Sequence, residues 1–410
     1  MLIEFSVGNF RSFKNVQTLS FVAAPIKSKY PEIDMENVFE ASNKQKLLKT
    51  VGMYGANGSG KSNLVKAMAF FFNYISFSET KKEINSLYKP FRLNINSISE
   101  PSFFQIIFIV GITKYRYGFE LLNGKIKSEW LFGVIKKSEV ELFKREFEKV
   151  KTNNSSFSDG KVIPQSNIPE TSLVLNIGAF LTKGLCFELK NYFFNEFIVV
   201  GGLNDGFSIH TANMLSDIEA KKTLINLIEN ADFGIKDILN PHENKAEGAN
   251  FNENSWMTLR DVFDNDGNIV HQTQFTLNEE ESAGTFKFLS LSGLILMALS
   301  KRKLLVLDEF DARLHPLLTK KIVQLFNSPK TNPKNAQLFF ITHDTNLLDP
   351  HLLRRDQIYF AEKNNKGESV IYSLTDFKGV RNDASFEKDY INGIYGAIPF
   401  LGGFKKLFEE

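Results

Sequence analysis

The stretch "MYGANGSGKSNLVKAMAF", Met53 to Phe70, constrains the fold more than any other part of this chain. Gly55, Gly60, Lys61 and Ser62 fit the spacing G-x-x-x-x-G-K-[ST], in which glycines let the backbone curl until successive N–H groups point at one phosphate. Ahead of it "KTVGMYG" is apolar, and behind it Leu64, Met68, Phe71, Phe72 and Ile75 recur at helical spacing. Strand, glycine loop and helix therefore follow in the order a phosphate-binding loop needs, a context that a chance match in a Gly-rich turn would lack. Asn57, Gly58, Ser59, Gly60, Lys61, Ser62 and Asn63 are the expected cradle, with Lys61 reaching the β- and γ-phosphates and Ser62 taking one position on Mg²⁺.

Two later segments extend this reading. "KLLVLDEF" and "AQLFFITHD" are short, nearly continuous apolar runs of the kind buried on both faces of a parallel sheet. The first ends on Asp308-Glu309, at the carboxyl edge where ligands of open α/β sheets bind. Such a strand end is structural more often than not, but beside a phosphate loop Asp308 is expected to hold Mg²⁺ and Glu309 to polarise the attacking water. The second run ends at His343, one strand further, where an imidazole can donate to the γ-phosphate; a lone His at a strand end is otherwise a capped or solvent-facing residue.

Around these motifs the chain divides into three. Residues 1–150 open with "LIEFSV", a strand ending at Gly8, and from Phe103 to Val134 alternate with period two about Asn123-Gly124, which predicts a three-strand antiparallel meander. Residues 151–245 begin with the polar, aperiodic "KTNNSSFSDGKVIPQSNIP", read as a mobile linker or long loop, and continue as an inserted helical lobe. Residues 246–410 return to α/β alternation after a hairpin at Asp266-Gly267. The two halves of an α/β sheet are thus separated by a long excursion and must meet in one core.

Composition narrows the partners. With 49 basic against 47 acidic residues and a net charge of +2, no bulk field draws in nucleic acid or an anionic membrane, so any DNA contact has to be a local patch. Lys136-Lys137, Lys144-Arg145, Lys301-Arg302-Lys303 and Arg354-Arg355 are the candidates, most of them better explained as solvated strand and helix ends. A single cysteine, Cys186, excludes an internal disulfide framework and a Cys metal cluster, which fits a reducing compartment. "MLIEFSVGNF" has no basic leader, and no apolar run approaches the roughly 20 residues of a membrane span, so a cytoplasmic location without membrane contact is expected. The tail carboxylates Asp376, Asp383, Glu387 and Asp389 hint at a metal site, but their flanks read as a solvated loop.

Phosphate loop, long insertion, Asp-Glu and a strand ending in His is the order found in ABC-type ATPases, and the chain resembles their SMC/RecF-like branch. "GNFRSF", Gly8 to Phe13, resembles the N-terminal strand end of that branch, which lies beside the nucleotide and implies a binding role for Arg11. "NEEESAGTFKFLSLSGLILMAL" resembles a degenerate signature, with Ser282, Gly284 and Thr285 opening a helix but without the usual Leu-Ser-Gly-Gly string. Read in isolation, "SAGT" is an ordinary helix cap. "DEFDARLHP" resembles a Walker B strand running into a D-loop, while "RRDQIYFAEKN" and "YGAIPFL" resemble the ATP-binding proteins of the abortive-infection and overcoming-lysogenization-defect (OLD) group.

The resemblance implies an α/β P-loop NTPase of ABC-ATPase type with an antiparallel β lobe and an inserted helical lobe, using ATP and Mg²⁺. It implies a homodimer or higher even oligomer in which Ser282 and Gly284 of one copy cap the γ-phosphate held by the other. The 67 residues that follow His343 are expected to be too few for the TOPRIM nuclease domain of some relatives, and the insert too short for coiled-coil arms. Gln165 is the candidate for the glutamine such sites carry. The function implied is the sensor or regulatory ATPase of an antiphage abortive-infection system, acting on a separately encoded effector such as a nuclease. The alternative is a RecF-like DNA-binding ATPase of repair or maintenance; a transporter motor is disfavoured by the insert and the tail.

Overall fold

A computed structural model describes residues 1–78, 82–201, 208–231, 233–239, 256–380 and 384–399. Its central sheet runs Phe197–Val200, Leu304–Leu307, Gln337–Ile341, Thr50–Tyr54, Ile358–Lys363, Ser369–Ser373. The first five strands are parallel and the last closes the edge antiparallel. Thr50–Tyr54, Leu304–Leu307 and Gln337–Ile341 are buried at every position, which is why they read as unbroken apolar runs. Thr50–Tyr54 lies between Gln337–Ile341 and Ile358–Lys363, so the two distant halves do meet in one sheet. Gly52 is required there, because a Cβ would sit 2.6 Å from the Phe340 ring paired with it.

A second, seven-stranded antiparallel sheet runs Lys149–Thr152, Ser138–Glu146, Lys125–Ile135, Thr113–Leu122, Ser102–Val110, Leu2–Gly8, Gln17–Ser20. The expected meander is its centre, with Asn123 and Gly124 at φ 52° and 76° forming the turn. The two strands beyond it carry no clear sequence signal, because "SEVELFKREFEKVKT" holds more charge than apolar rhythm. Their turn is Lys136-Lys137, which adopts φ 50° and 85° without the Asn-Gly that normally announces such a turn.

The helix Lys61–Phe77 lies between the two sheets and carries Phe70, Phe71, Phe72 and Phe77. Phe71 stacks on Phe119 of the antiparallel sheet with centroids 5.4 Å apart, and Phe72 stacks on Phe197 of the central sheet at 4.0 Å.

The segment 151–245 differs from expectation. The stretch read as a mobile linker is packed: Phe157, Ile163 and Ile168 enter the core, and the buried Asp159 accepts the Cys186 N–H at 2.8 Å. Its apolar residues lack a period because the segment crosses the core rather than running along one element. Helices Val174–Leu181 and Leu185–Asn195 join the same core, with Phe193 against both Phe71 and Phe72, and Phe197–Val200 is a strand of the central sheet. Helices Ile209–Leu215 and Ile218–Glu229 share a second core with the helix Ala283–Lys301 through Leu215, Leu224, Ile228 and Phe288. The boundary drawn at 245 falls outside the described residues.

A third sheet, Ile235–Leu239, Met257–Phe263 and Ile269–Thr276, turns at Gly267 as expected and leads into Ala283–Lys301. That helix is the one among the described residues long and apolar enough to cross a membrane, and most of it is buried within the chain.

Candidate functional site

The carboxyl edge of the central sheet carries the site. Gly55, Gly58 and Gly60 all take positive φ, at 149°, 77° and 109°, so the loop can turn its N–H groups inward only with glycine at these positions. Gly60 is also sterically fixed: a Cβ would lie 2.2 Å from Ser369 Oγ and 2.8 Å from Ser12 Oγ. Gly60→Ala is therefore expected to cost about 1–3 kcal/mol of stability from backbone strain and to displace the loop, read as a lower Tm together with lost ATP binding by calorimetry.

The cavity above the loop holds about 290 Å³ and is walled by residues 57–63, Asp308, Glu309, Ile341, His343 and Lys363. Asn57, Gly58, Ser59, Gly60, Lys61, Ser62, Asn63, Asp308, Glu309 and His343 are thus brought together around one cavity. Lys61 is buried and donates to the Gly55 and Ala56 carbonyls at 2.7 and 3.0 Å. Burial pushes its pKa down to about 8, with Asp308 and Asp311 opposing. The charged ammonium binds phosphate, so ATP affinity is expected to hold below pH 8 and to fall by up to tenfold per pH unit above it, measurable by titration calorimetry between pH 7 and 9.5.

The Ser62 hydroxyl donates to Asp308 Oδ1 at 3.1 Å, placing a neutral and an anionic oxygen donor side by side as Mg²⁺ prefers. Ser59 Oγ is buried with no partner, and a Cβ on Gly58 would meet nothing within 4 Å. An unpaired hydroxyl, open space, a cation and this oxygen pair fit a Mg²⁺-triphosphate. Ser62 and Asp308 would hold the metal, which would neutralise charge on the phosphates.

Glu309 follows the buried Asp308 in a left-handed conformation, φ 51°, and its N–H bonds Asp308 Oδ1 at 3.1 Å. A non-glycine residue held there marks a constrained turn that aims the carboxylate off the strand line. The His343 N–H donates to Asp311 Oδ1 at 3.2 Å, joining the two loops. The His343 ring is exposed at the cavity mouth, yet partial desolvation and then the Lys61 charge lower its pKa, so at neutral pH it is a neutral imidazole with one N–H to donate.

Three contributors were not foreseen. Ser12 accepts from Asn63 Nδ2 at 2.8 Å, Ser369 Oγ donates to the Ser59 carbonyl at 2.6 Å, and Ser369 N donates to the Ser12 carbonyl at 2.7 Å. Lys363 reaches the cavity wall from the end of the strand beside Thr50–Tyr54. Only Ser12 carried a sequence signal, through "GNFRSF".

Other expected residues lie apart. Arg11 is not on the cavity wall; its N–H bonds the Lys89 carbonyl at 2.8 Å, and its Nε is buried without a partner. Gln165 is not at the cavity either: its amide bonds the Ile163 carbonyl at 2.9 Å and Thr152 Oγ1 at 3.2 Å, because the packed loop anchors it there. Ser282 and Gly284 are absent from the wall. Ser282 is the N-cap of Ala283–Lys301, accepting from Thr285 N at 3.1 Å.

The profile of one protein family, described as "AAA domain, putative AbiEii toxin, Type IV TA system", matches residues 51–161 and 206–349, more than half of the chain. The match includes the phosphate loop, Asp308, Glu309 and His343. The chain belongs to this AAA domain family. A search of curated proteins returned no match.

Several basic pairs are occupied within the fold. Arg145 is buried and donates to the Phe147, Ser172 and Pro169 carbonyls at 2.6, 2.5 and 3.0 Å. Arg354 is buried against Asp356 and Asp34, and Arg355 donates to the Val380 carbonyl at 2.6 Å. The tail carboxylates are occupied as well: Asp376 accepts from Ser373 N at 2.9 Å, Glu387 from Thr345 Oγ1 at 2.7 Å and Asp389 from the Tyr395 hydroxyl at 2.9 Å. Asp383 lies outside the described residues, among which no group of three or more His, Cys, Asp or Glu side chains is placed to hold a metal.

Proposed function

We propose that the protein binds Mg²⁺-ATP and hydrolyses it as an ABC-type ATPase of the abortive-infection and OLD group, closing as a dimer in which each copy completes the other's site. The observation that carries this reading is the composition of the cavity. It gathers Lys61, Ser62, Asp308, Glu309 and His343 but not the Ser282–Gly284 turn, whose Ser282 is exposed. In the reaction Glu309 takes a proton from water, the water oxygen attacks the γ-phosphorus, and the bond to the β,γ-bridging oxygen breaks to release ADP. His343 donates to a γ-oxygen, and Lys61 balances the charge that accumulates on the bridge. A second copy's helix N-terminus, through the N–H groups at Ser282 and Gly284, would cap the γ-phosphate.

The biological role we infer is a cytoplasmic sensor ATPase in antiphage defence that holds or releases a separately encoded effector, with a nuclease as the leading class. The family description, which names a toxin of type IV toxin–antitoxin systems, supports the setting. A RecF-like DNA clamp has less support, since Arg145 and Arg354 are buried and internally bonded. The test is expression with the genomic neighbours, followed by identification of what co-purifies and by duplex binding at rising salt. A bound protein partner with salt-indifferent or absent DNA binding supports the sensor; a steep salt slope without a partner overturns it in favour of the clamp.

A further inference from the structure

The three-stranded sheet contributes nothing to the cavity, yet its central strand is bonded to the residue just before the signature cap. Glu281, whose side chain is only 3% exposed, accepts Arg260 Nε at 2.9 Å on one oxygen and Arg260 Nη2 at 2.7 Å on the other. The buried Thr258 hydroxyl donates to Glu281 Oε1 at 2.5 Å. The remaining Arg260 Nη1 donates to the Phe233 carbonyl at 2.7 Å, so the guanidinium is held in its own plane. A two-bond fork of this kind fixes orientation as well as distance, which a point charge does not.

The geometry continues through the turn. Ser282, the next residue, caps Ala283–Lys301. On its far side a Cβ at Gly284 would lie 2.6 Å from the Arg313 carbonyl oxygen, so the turn's backbone rests against the loop that follows Asp308-Glu309. A helix cap needs only Ser282. Here the turn is gripped on one side by the sheet and on the other by the loop leaving the strand that leads into Asp308.

We propose that Arg260 and Glu281 are a positioning pair, which sets Ser282 and the N–H of Gly284 where the γ-phosphate held by a second copy of this chain requires them. This rests on the shared-site reading above. Neither residue lines the cavity of its own protomer, and the pair acts through the turn. An electrostatic role alone would be met by any cation at position 260.

Arg260→Lys separates the two roles, because it keeps the charge and loses the fork. Three readouts are needed on the full chain: binding of a fluorescent ATP analogue at protein concentrations below dimerisation, ATP-driven dimerisation by sedimentation velocity, and turnover. The expected result is analogue affinity within about twofold of the parent, with dimerisation and kcat each reduced about tenfold, within the range for coupling between sites. Circular dichroism and Tm check folding; should Arg260→Lys not fold, Glu281→Gln, which keeps the side-chain shape and an acceptor for Thr258, carries the same expectation. A parent that dimerises with ATP alongside a folded variant that closes and turns over equally well overturns this inference alone. A parent that stays monomeric in Mg²⁺-ATP overturns the shared site and this inference with it.

Discussion

Glu309→Gln is expected to bind Mg²⁺-ATP normally and to lose about 100- to 10,000-fold in kcat, the range for removing a positioned general base. The substitution keeps the shape of the side chain and the Glu309 N–H bond to Asp308 Oδ1, so the left-handed turn at φ 51° should survive. With hydrolysis stopped, the contact that holds two copies together persists, and the variant should run as an ATP-dependent dimer in sedimentation velocity while the parent reverts as ATP is consumed. A structure of that dimer should place Ser282 and Gly284 of each copy against the triphosphate of the other. Parental turnover in Glu309→Gln would assign the water-polarising role elsewhere, and a closed dimer whose signature turns face away from every phosphate would remove the basis for the shared site.

Lys61→Ala is expected to abolish nucleotide binding. A charge-assisted hydrogen bond contributes about 1.5–3 kcal/mol, so losing contacts to both the β- and γ-phosphates weakens Kd by about two to four decades. The side chain also ties the Gly55 and Ala56 carbonyls together, and its removal loosens the loop that presents the N–H groups. Folding should be little affected, because the pKa near 8 shows that burying this ammonium opposes rather than assists the folded state. The lysine of the unfolded chain binds its proton up to pH 10.5, so between pH 8 and 10.5 the unfolded state holds more protons and stability rises with pH; Lys61→Ala should flatten that rise. Calorimetry with ATP, alongside thermal melts at pH 7 and 9.5, reads both effects, and retained micromolar binding by a folded variant would contradict the assignment of Lys61 to the phosphates.

What the sequence determined by itself is what neighbouring residues decide together. The phosphate loop was legible because its positive-φ glycines, its lysine and its serine all fall within Gly55–Ser62, and the flanking strand and helix carry their own periods. Leu304–Leu307 and Gln337–Ile341 were legible because burial on both faces forces an unbroken apolar run, and their last residues then had to reach the sheet's carboxyl edge. Tertiary structure alone decided the rest. Ser12 and Ser369 meet at Gly60 although hundreds of residues separate them, and no local pattern encodes such a meeting. The same holds for the burial of Phe157 and Ile163 in a stretch with the composition of a linker, for the loss of Arg145 and Arg354 from the surface, and for the fork between Arg260 and Glu281. Composition reports what a segment can tolerate, whereas burial and partnership depend on what packs across it, and that is set only when distant strands close the sheets.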